Sequence, residues 1–493
     1  MYEGSSKPLW LLVVALLIAV ACTQYVADPI QYRLQAKAKP TGGGGELMVQ
    51  LPGQFIVASF AGFKEVIAGA LWVRADTFFH AGQYEAIIPI VRLVTWLDPH
   101  NVDVYSTGAW HLDYNFVDTN QMSDKRYIPA AVALLREGIR NNPDIWDLYF
   151  ELGWTHYNKK ILDYEKAVEY IEKACTKDGV DPNTGQRVPR PEYVDRMLAH
   201  MYEKVGRFDD AIKQWHKARK RVEEAIARER KRKKTKFIDT TSLDVCDRNL
   251  GLLYLRMAWR YGDMEAYRKG LEIYKRLASR KDAPAQLVEA TKGAEVDYAR
   301  RFATNNPPRD ALKPLDANFE VTWKKVAPKV FIIKGKVNLV PASEYKDLAS
   351  ECFTHWYRDN QKAPPDQRKL WRDGCRIRWI LRDYDYKMPD LKTFSYKIDK
   401  TKTIAWDSVY VSGGTFSDRI DLSQDPDFYP FKAEKYKLTI LFVPQQAECP
   451  DYVQDRIGWK GEALRDKRYL DTRTQPGFHL LRKEMVLTKK DVL

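Results

Sequence analysis

The sequence lacks a glycine-rich phosphate loop, an HExxH or GxSxG motif, and any acidic pair at a credible spacing. Its six cysteines form no CxxC pair and have no histidine at ligand spacing, which argues against a zinc knuckle or a thioredoxin-like motif. Acid is the scarcer charge: 66 Asp and Glu stand against 80 Lys and Arg, a net +14. That balance bears on solubility and nonspecific association with anions before it bears on function. Together these absences favour a binding or structural protein over an enzyme, with no catalytic residue, cofactor or metal expected.

What the chain does have is length and apolar material. Its 493 residues are 45% apolar and include 14 Trp, 28 Tyr and 19 Phe, enough to fill two or three cores and to exclude global disorder.

From Leu9 to Cys22 every residue is apolar, behind a short head carrying Lys7. This layout predicts a membrane anchor or signal segment over residues 1–27, because about 20 helical residues span the hydrocarbon. Ile18-Ala19-Val20-Ala21-Cys22 also resembles a lipobox, which makes Cys22 a candidate for lipidation. A retained single-pass helix, a lipoprotein and a cleaved signal stay open. The body is expected to be exported, although Arg33, Lys37 and Lys39 read by the positive-inside rule would keep it cytoplasmic. Residues 28–53, with four glycines in a row before Glu46, form a flexible spacer. Phe55 to Val73 is apolar too, but Lys64 and Glu65 would lie mid-span at a cost of a few kcal/mol each, so it reads as a first buried helix.

Residues 54–303 repeat one order of bulky and small side chains. Leu71 and Phe78 open it, followed by Tyr105, Gly108, Ala109 and Leu112 with Ala131. The order returns at Leu152, Gly153 and His156 with Ala167, at Ala199 and Tyr202 with Ala211, and at Leu250, Gly251 and Tyr254. Small residues fall where two antiparallel helices must approach closely. The pattern therefore predicts five helical pairs, closed by one helix over Ala285 to Phe302 and stacked as an α-solenoid. The polar stretch Val117 to Lys125 is expected to protrude as a loop.

Lys217 to Lys236 extends the fourth pair into a basic run with Arg228, Arg230, Lys231, Arg232, Lys233 and Lys234. It reads as a solvated helix, or as a contact for an acidic protein or lipid surface. No aromatic platform interleaves it, which argues against nucleic acid as a partner. Asp98, His100, Asp103, His111 and Asp113 crowd one region, yet their spacing suits caps and buried polar contacts better than a metal. Trp96, Trp110, Trp146, Trp154 and Trp215 fall at helical spacing and read as core.

Asn305-Asn306-Pro307-Pro308 and Pro314 mark a linker over 304–318, beyond which period-two alternation takes over. Residues 319–445 predict an antiparallel β-sandwich of immunoglobulin-like size, interrupted by a helix near Tyr345 to Tyr357. Residues 446–493 read as an extension packing back over a domain. Cys352, Cys375 and Cys449 leave both a disulfide and free thiols open.

Leu71-Trp72-Val73-Arg74-Ala75, Trp96-Leu97-Asp98-Pro99-His100 and Gly108-Ala109-Trp110-His111-Leu112 resemble the first repeats of membrane-anchored bacterial tetratricopeptide (TPR) proteins of uncharacterised function. The resemblance implies a membrane-tethered scaffold that binds other proteins through a repeat groove. Two alternatives are an envelope carbohydrate-binding protein or enzyme using the sandwich, and a structural subunit of a membrane assembly. The oligomeric state is not legible.

Overall fold

The computed structural model describes residues 63–116, 122–180, 186–232, 240–261, 263–301, 313–339, 372–389, 391, 394–395, 398–449 and 451–493. The chain divides into two compact units. The first comprises Met1–Val117, Arg126–Leu148 and Met388–Ile398, and the second Asp118–Lys125, Tyr149–Lys387 and Asp399–Leu493.

In the first unit, α1 (Lys64–His80) and α2 (Tyr84–Leu97) form a hairpin whose turn passes through Gly82 at φ +70°. The left-handed region is one that glycine enters without steric cost. α3 (Val102–Trp110) widens over His111–Asn115 into a π-type turn and pairs with α4 (Ile128–Asn141), which starts on Pro129. A Cβ on Gly108 would lie 2.8 Å from Val91, and one on Gly138 would lie 2.6 Å from the Tyr105 ring, so both glycines are there for close packing. Arg92 bonds Glu137 at 2.9 Å, tying α2 to α4. From the third segment of this unit, Phe394 lies against α2, with the Arg92 guanidinium 4.3 Å over its ring.

The division falls within α5 (Trp146–Phe150), which continues as a wide-turned helix over Glu151–Ile161. In the second unit that helix pairs with α6 (Tyr164–Ala174), which Asp163 caps through the Lys166 amide. α7 (Tyr193–Lys204) pairs with α8 (Phe208–Arg232), and α9 (Thr241–Tyr261) pairs with α10 (Met264–Ala278). α11 (Ala285–Arg301) follows. The short strands β1 (Gly179–Val180) and β2 (Arg187–Val188) join α6 to α7 as a hairpin.

Two buried carboxylates, Asp195 and Asp247, hold this stack. Asp195 accepts from Arg190 Nη2 on both carboxylate oxygens, at 3.1 and 3.0 Å, and faces Arg221 at 3.2 Å. Asp247 faces Arg219 at 2.6 Å and Arg276 at 2.9 Å. Stripping a partner from the fully buried Arg190–Asp195 pair costs about 3–5 kcal/mol. Arg219 and Arg221, in the first half of the basic run, are therefore committed to internal structure.

The remaining strands are β3 (Leu315–Asp316), β4 (Glu320–Ala327), β5 (Val330–Lys336), β6 (Arg372–Asp383), β7 (Ile404–Ser412), β8 (Thr415–Asp421), β9 (Lys435–Phe442), β10 (Leu464–Arg465), β11 (Leu470–Asp471) and β12 (Leu480–Thr488). The short helices α12 (Asp451–Ile457) and α13 (Lys489–Val492) accompany them. The expected sandwich is corrected: one eight-stranded antiparallel sheet runs β11-β12-β9-β6-β7-β8-β5-β4 and curls around a single core. The cause is the β7–β8 hairpin, whose strands pair only at Ser412 and Thr415 and then part, so the sheet bends there instead of dividing. Both halves feed the same core through Phe331, Ile333, Phe416 and Ile420 on one side and Ile377, Trp379, Leu438 and Ile440 on the other. Trp379 Nε1 donates to Asp418 at 3.0 Å from one half to the other. The stretch 446–493 supplies β10 to β12, and β12 pairs with β9 along eight positions.

The membrane anchor, signal anchor and exported single-pass location are also corrected. Among the described residues no helix is long and apolar enough to cross a membrane, and residues 1–27, with Cys22, lie outside them. The spacer 28–53, most of the linker and the helix near Tyr345 to Tyr357 fall outside the described residues as well. Cys175, Cys246 and Cys449 are free thiols, and they and Cys375 are buried. Burial pushes the Cys175 thiol up to about 12 and the Cys246 thiol up to about 11, which suppresses thiolate chemistry.

Candidate protein-binding face

The small residues of the repeats meet the partner helix of each hairpin. Cβ atoms on Gly153 and Gly251 would lie 2.7 Å from Ile171 and 2.8 Å from the Tyr274 ring. Ala109, Ala131, Ala167, Ala199 and Ala211 are fully buried, Leu152 and Tyr202 are buried, and Leu71, Phe78 and Tyr254 are half-buried. One residue further along a helix the side chain is rotated by about 100°, away from the partner helix. On the first helix of each hairpin, the residues that follow the small ones are Trp110, Trp154, His200 and Leu252.

This step uncovers what the sequence reading missed. Trp110 is 41% exposed and stacks on Tyr114 at 6.2 Å, in the first unit. In the second unit, Trp154 is half-buried, stacks on Phe150 at 6.2 Å and carries the Lys159 ammonium 5.4 Å over its ring. Leu252 is 44% exposed. Of the five tryptophans read as core, Trp146 and Trp215 are buried, whereas Trp96 and Trp110 present their rings to solvent. Both wide-turned segments lie at these aromatics, a backbone form that often occurs at functional sites.

In the second unit the first helices of successive hairpins lie side by side. The Phe150 ring meets Tyr193 edge-on at 5.5 Å, Lys204 Nζ donates to Asn158 at 2.9 Å, and Ser242 Oγ donates to Glu192 at 3.4 Å. Arg196 leans on Glu192 at 3.4 Å, its buried Nε without a hydrogen-bond partner, and Arg248 is exposed. Burial, then the charges of Lys204 and Arg196, pull the His200 pKa down to about 4, so its ring is neutral at pH 7. The face is aromatic at the α5 end and cationic towards α7 and α9.

The sheet sits on the hairpin turns. Gln446 donates to the Leu162 carbonyl at 2.7 Å and Trp459 Nε1 to the Lys204 carbonyl at 2.7 Å. The indole closes on Gly206 and Phe208 and lies beneath the Arg256 guanidinium at 4.7 Å.

The histidine and aspartate crowd assembles no metal site. His100 Nδ1 is 3.2 Å from Asn142, His111 Nδ1 is 2.7 Å from Asn115, and the His111 ring packs 4.7 Å from Phe79. Among the described residues no group of His, Cys, Asp or Glu is placed to hold a metal ion. In the basic run Arg228, Arg230 and Lys231 are exposed, α8 ends at Arg232, and Lys233 and Lys234 lie outside the described residues.

No protein-family model matches the chain, nor does any curated protein. Among solved structures it is similar to the MamA protein, at 16% identity over 45% of this chain and 99% of that one, with a TM-score of 0.28. YrrB, described as a TPR protein with an unusual peptide-binding site, is 15% identical over 48% of this chain and 97% of its own, with a TM-score of 0.28. Yeast Tom70 is 15% identical over 57% of this chain and 47% of its own, with a TM-score of 0.30. Likenesses this slight support no inference about function. The membership expected in a membrane-anchored bacterial family is corrected, since no family model matches and no described helix can cross a bilayer.

Proposed function

We propose that the protein is a scaffold, not an enzyme, and that the first helices of its hairpins hold a peptide or helix of another protein. The roles that rested on a membrane tether or on sugar binding by a sandwich are set aside. The observation that carries the reading is the run of half-exposed aromatic and cationic side chains, Phe150, Trp154, Tyr193, Arg196 and Arg248, on adjacent helices of the second unit. Aromatics and arginine supply most of the energy in protein interfaces. Their charge favours an acidic segment with one or two apolar anchors. Arg228, Arg230 and Lys231 on the overhanging end of α8 would steer such a partner at low ionic strength.

Selection of peptides from a displayed library on the full chain tests this. The wild type should enrich acidic sequences with an aromatic or leucine anchor, and the Trp154→Ala, Arg248→Glu double variant should lose them. Enrichment of the same peptides by both proteins would overturn the reading.

A further inference from the structure

The outer, solvent-facing side of β4, β5 and β8 carries chemistry that the scaffold reading does not use. Two rows of side chains cross three strands there. Thr322, Lys334 and Ser417 are in register in one row, and Glu320, Lys336 and Thr415 in the next. Lys334 and Lys336 are two residues apart on one strand and so point to the same side, about 7 Å apart. Where β7 leaves β8, Tyr410 and Ser412 turn a wall towards these rows and border an open cleft of about 570 Å³ floored by Gly335 and Phe416. Gly335 has no room for a side chain: its Cβ would lie 2.3 Å from both the Glu320 carbonyl oxygen and the Phe416 ring.

We propose that this cleft binds a small organic anion bearing a phosphate or sulfate group beside a flat ring. The two ammonium groups supply the countercharge, and the Ser417 hydroxyl lies next to Lys334. Glu320 is the opposing charge in the lining, and the Arg468 guanidinium 3.8 Å away answers it. Tyr410 is 40% exposed, and the Arg376 guanidinium lies 4.2 Å over its ring, which fixes the ring as a stacking wall. The volume exceeds that of a bare oxyanion and falls within the roughly 300–1,000 Å³ of small-ligand sites.

The test is calorimetric titration of the full chain with adenosine monophosphate, adenosine and inorganic phosphate. The monophosphate should bind saturably and at least tenfold tighter than adenosine, with phosphate competing. Lys334→Gln with Lys336→Gln should weaken the monophosphate at least tenfold at an unchanged melting temperature. Tyr410→Ala should weaken the monophosphate while leaving inorganic phosphate unaltered. Equal binding of nucleotide and nucleoside, an unaffected double lysine variant, or no saturable heat with either phosphate probe would overturn the assignment. Peptide selection by the repeat helices is read separately, so either proposal can fail alone.

Discussion

At the scale of single residues, Asp147 shows how burial turns a surface-type side chain into a liability. Burial pushes its carboxyl up to about 6, against a bond from its own backbone amide, and Asp103 adds to the rise. The ionised form is thus penalised in the folded state. The sign follows: below about pH 4 both states are protonated and no penalty exists, whereas above about pH 6 the whole penalty is present. Asp147→Asn should therefore stabilise the protein by about 1 kcal/mol at pH 7.5, a figure reduced for partial exposure, and by almost nothing at pH 4. Urea unfolding at the two pH values checks this, and a pH-independent difference would count against it. Residue roles were only half legible in the sequence. Gly108, Gly153 and Gly251 announced themselves because close helix packing tolerates few alternatives. Asp195 and Asp247 did not, because Arg219, Arg221 and Arg276 reach them from other helices and only Arg190 is close in sequence.

At the scale of elements, the hairpins rest on backbone proximity. A methyl at position 153 would lie 2.7 Å from Ile171 Cγ1 and 3.0 Å from the Ala167 carbonyl oxygen, and that backbone atom cannot swing aside. Overpacking of this kind costs about 1–3 kcal/mol, more than the roughly 1 kcal/mol by which alanine outranks glycine as a helix former. Gly153→Ala should lower stability by about 1 kcal/mol. Gly69→Ala in α1, where nothing lies within 4 Å, should raise it by up to about 1 kcal/mol. Equilibrium denaturation of the pair decides, and two changes of the same sign would show that the contact does not govern. Helix existence was readable from the 3.6-residue period. The bend between β7 and β8 was not, because alternation along each strand is the same whether a sheet curls or divides. Trp96 and Trp110 misled for a related reason: helical spacing reports that a residue recurs, not which way the recurring face points.

At the scale of the molecule, Trp459 joins two kinds of architecture. Its indole is buried between the α7–α8 turn and α9, and its N–H is spent on the Lys204 carbonyl. Trp459→Ala should cost about 3–5 kcal/mol and uncouple the sheet from the hairpins, so that calorimetry shows the second unit melting in two transitions where the wild type shows one. A single transition shifted downwards would mean that other contacts couple them. The order of helices then strands was legible from the change of period near Asn318. The docking of one on the other was not, since tryptophan in a stretch without periodicity gives no sign of its partner.

The bonds from Gln446 and Trp459 to the turns at Leu162 and Lys204 have a mechanical consequence. An unbraced stack of hairpins behaves as a soft spring whose pitch yields to whatever it grips. Here two successive coils are bolted along one rim, which stiffens the pitch against a guest of the kind proposed. Capture should then proceed in one kinetic phase, without the slow tightening that a compliant coil would add.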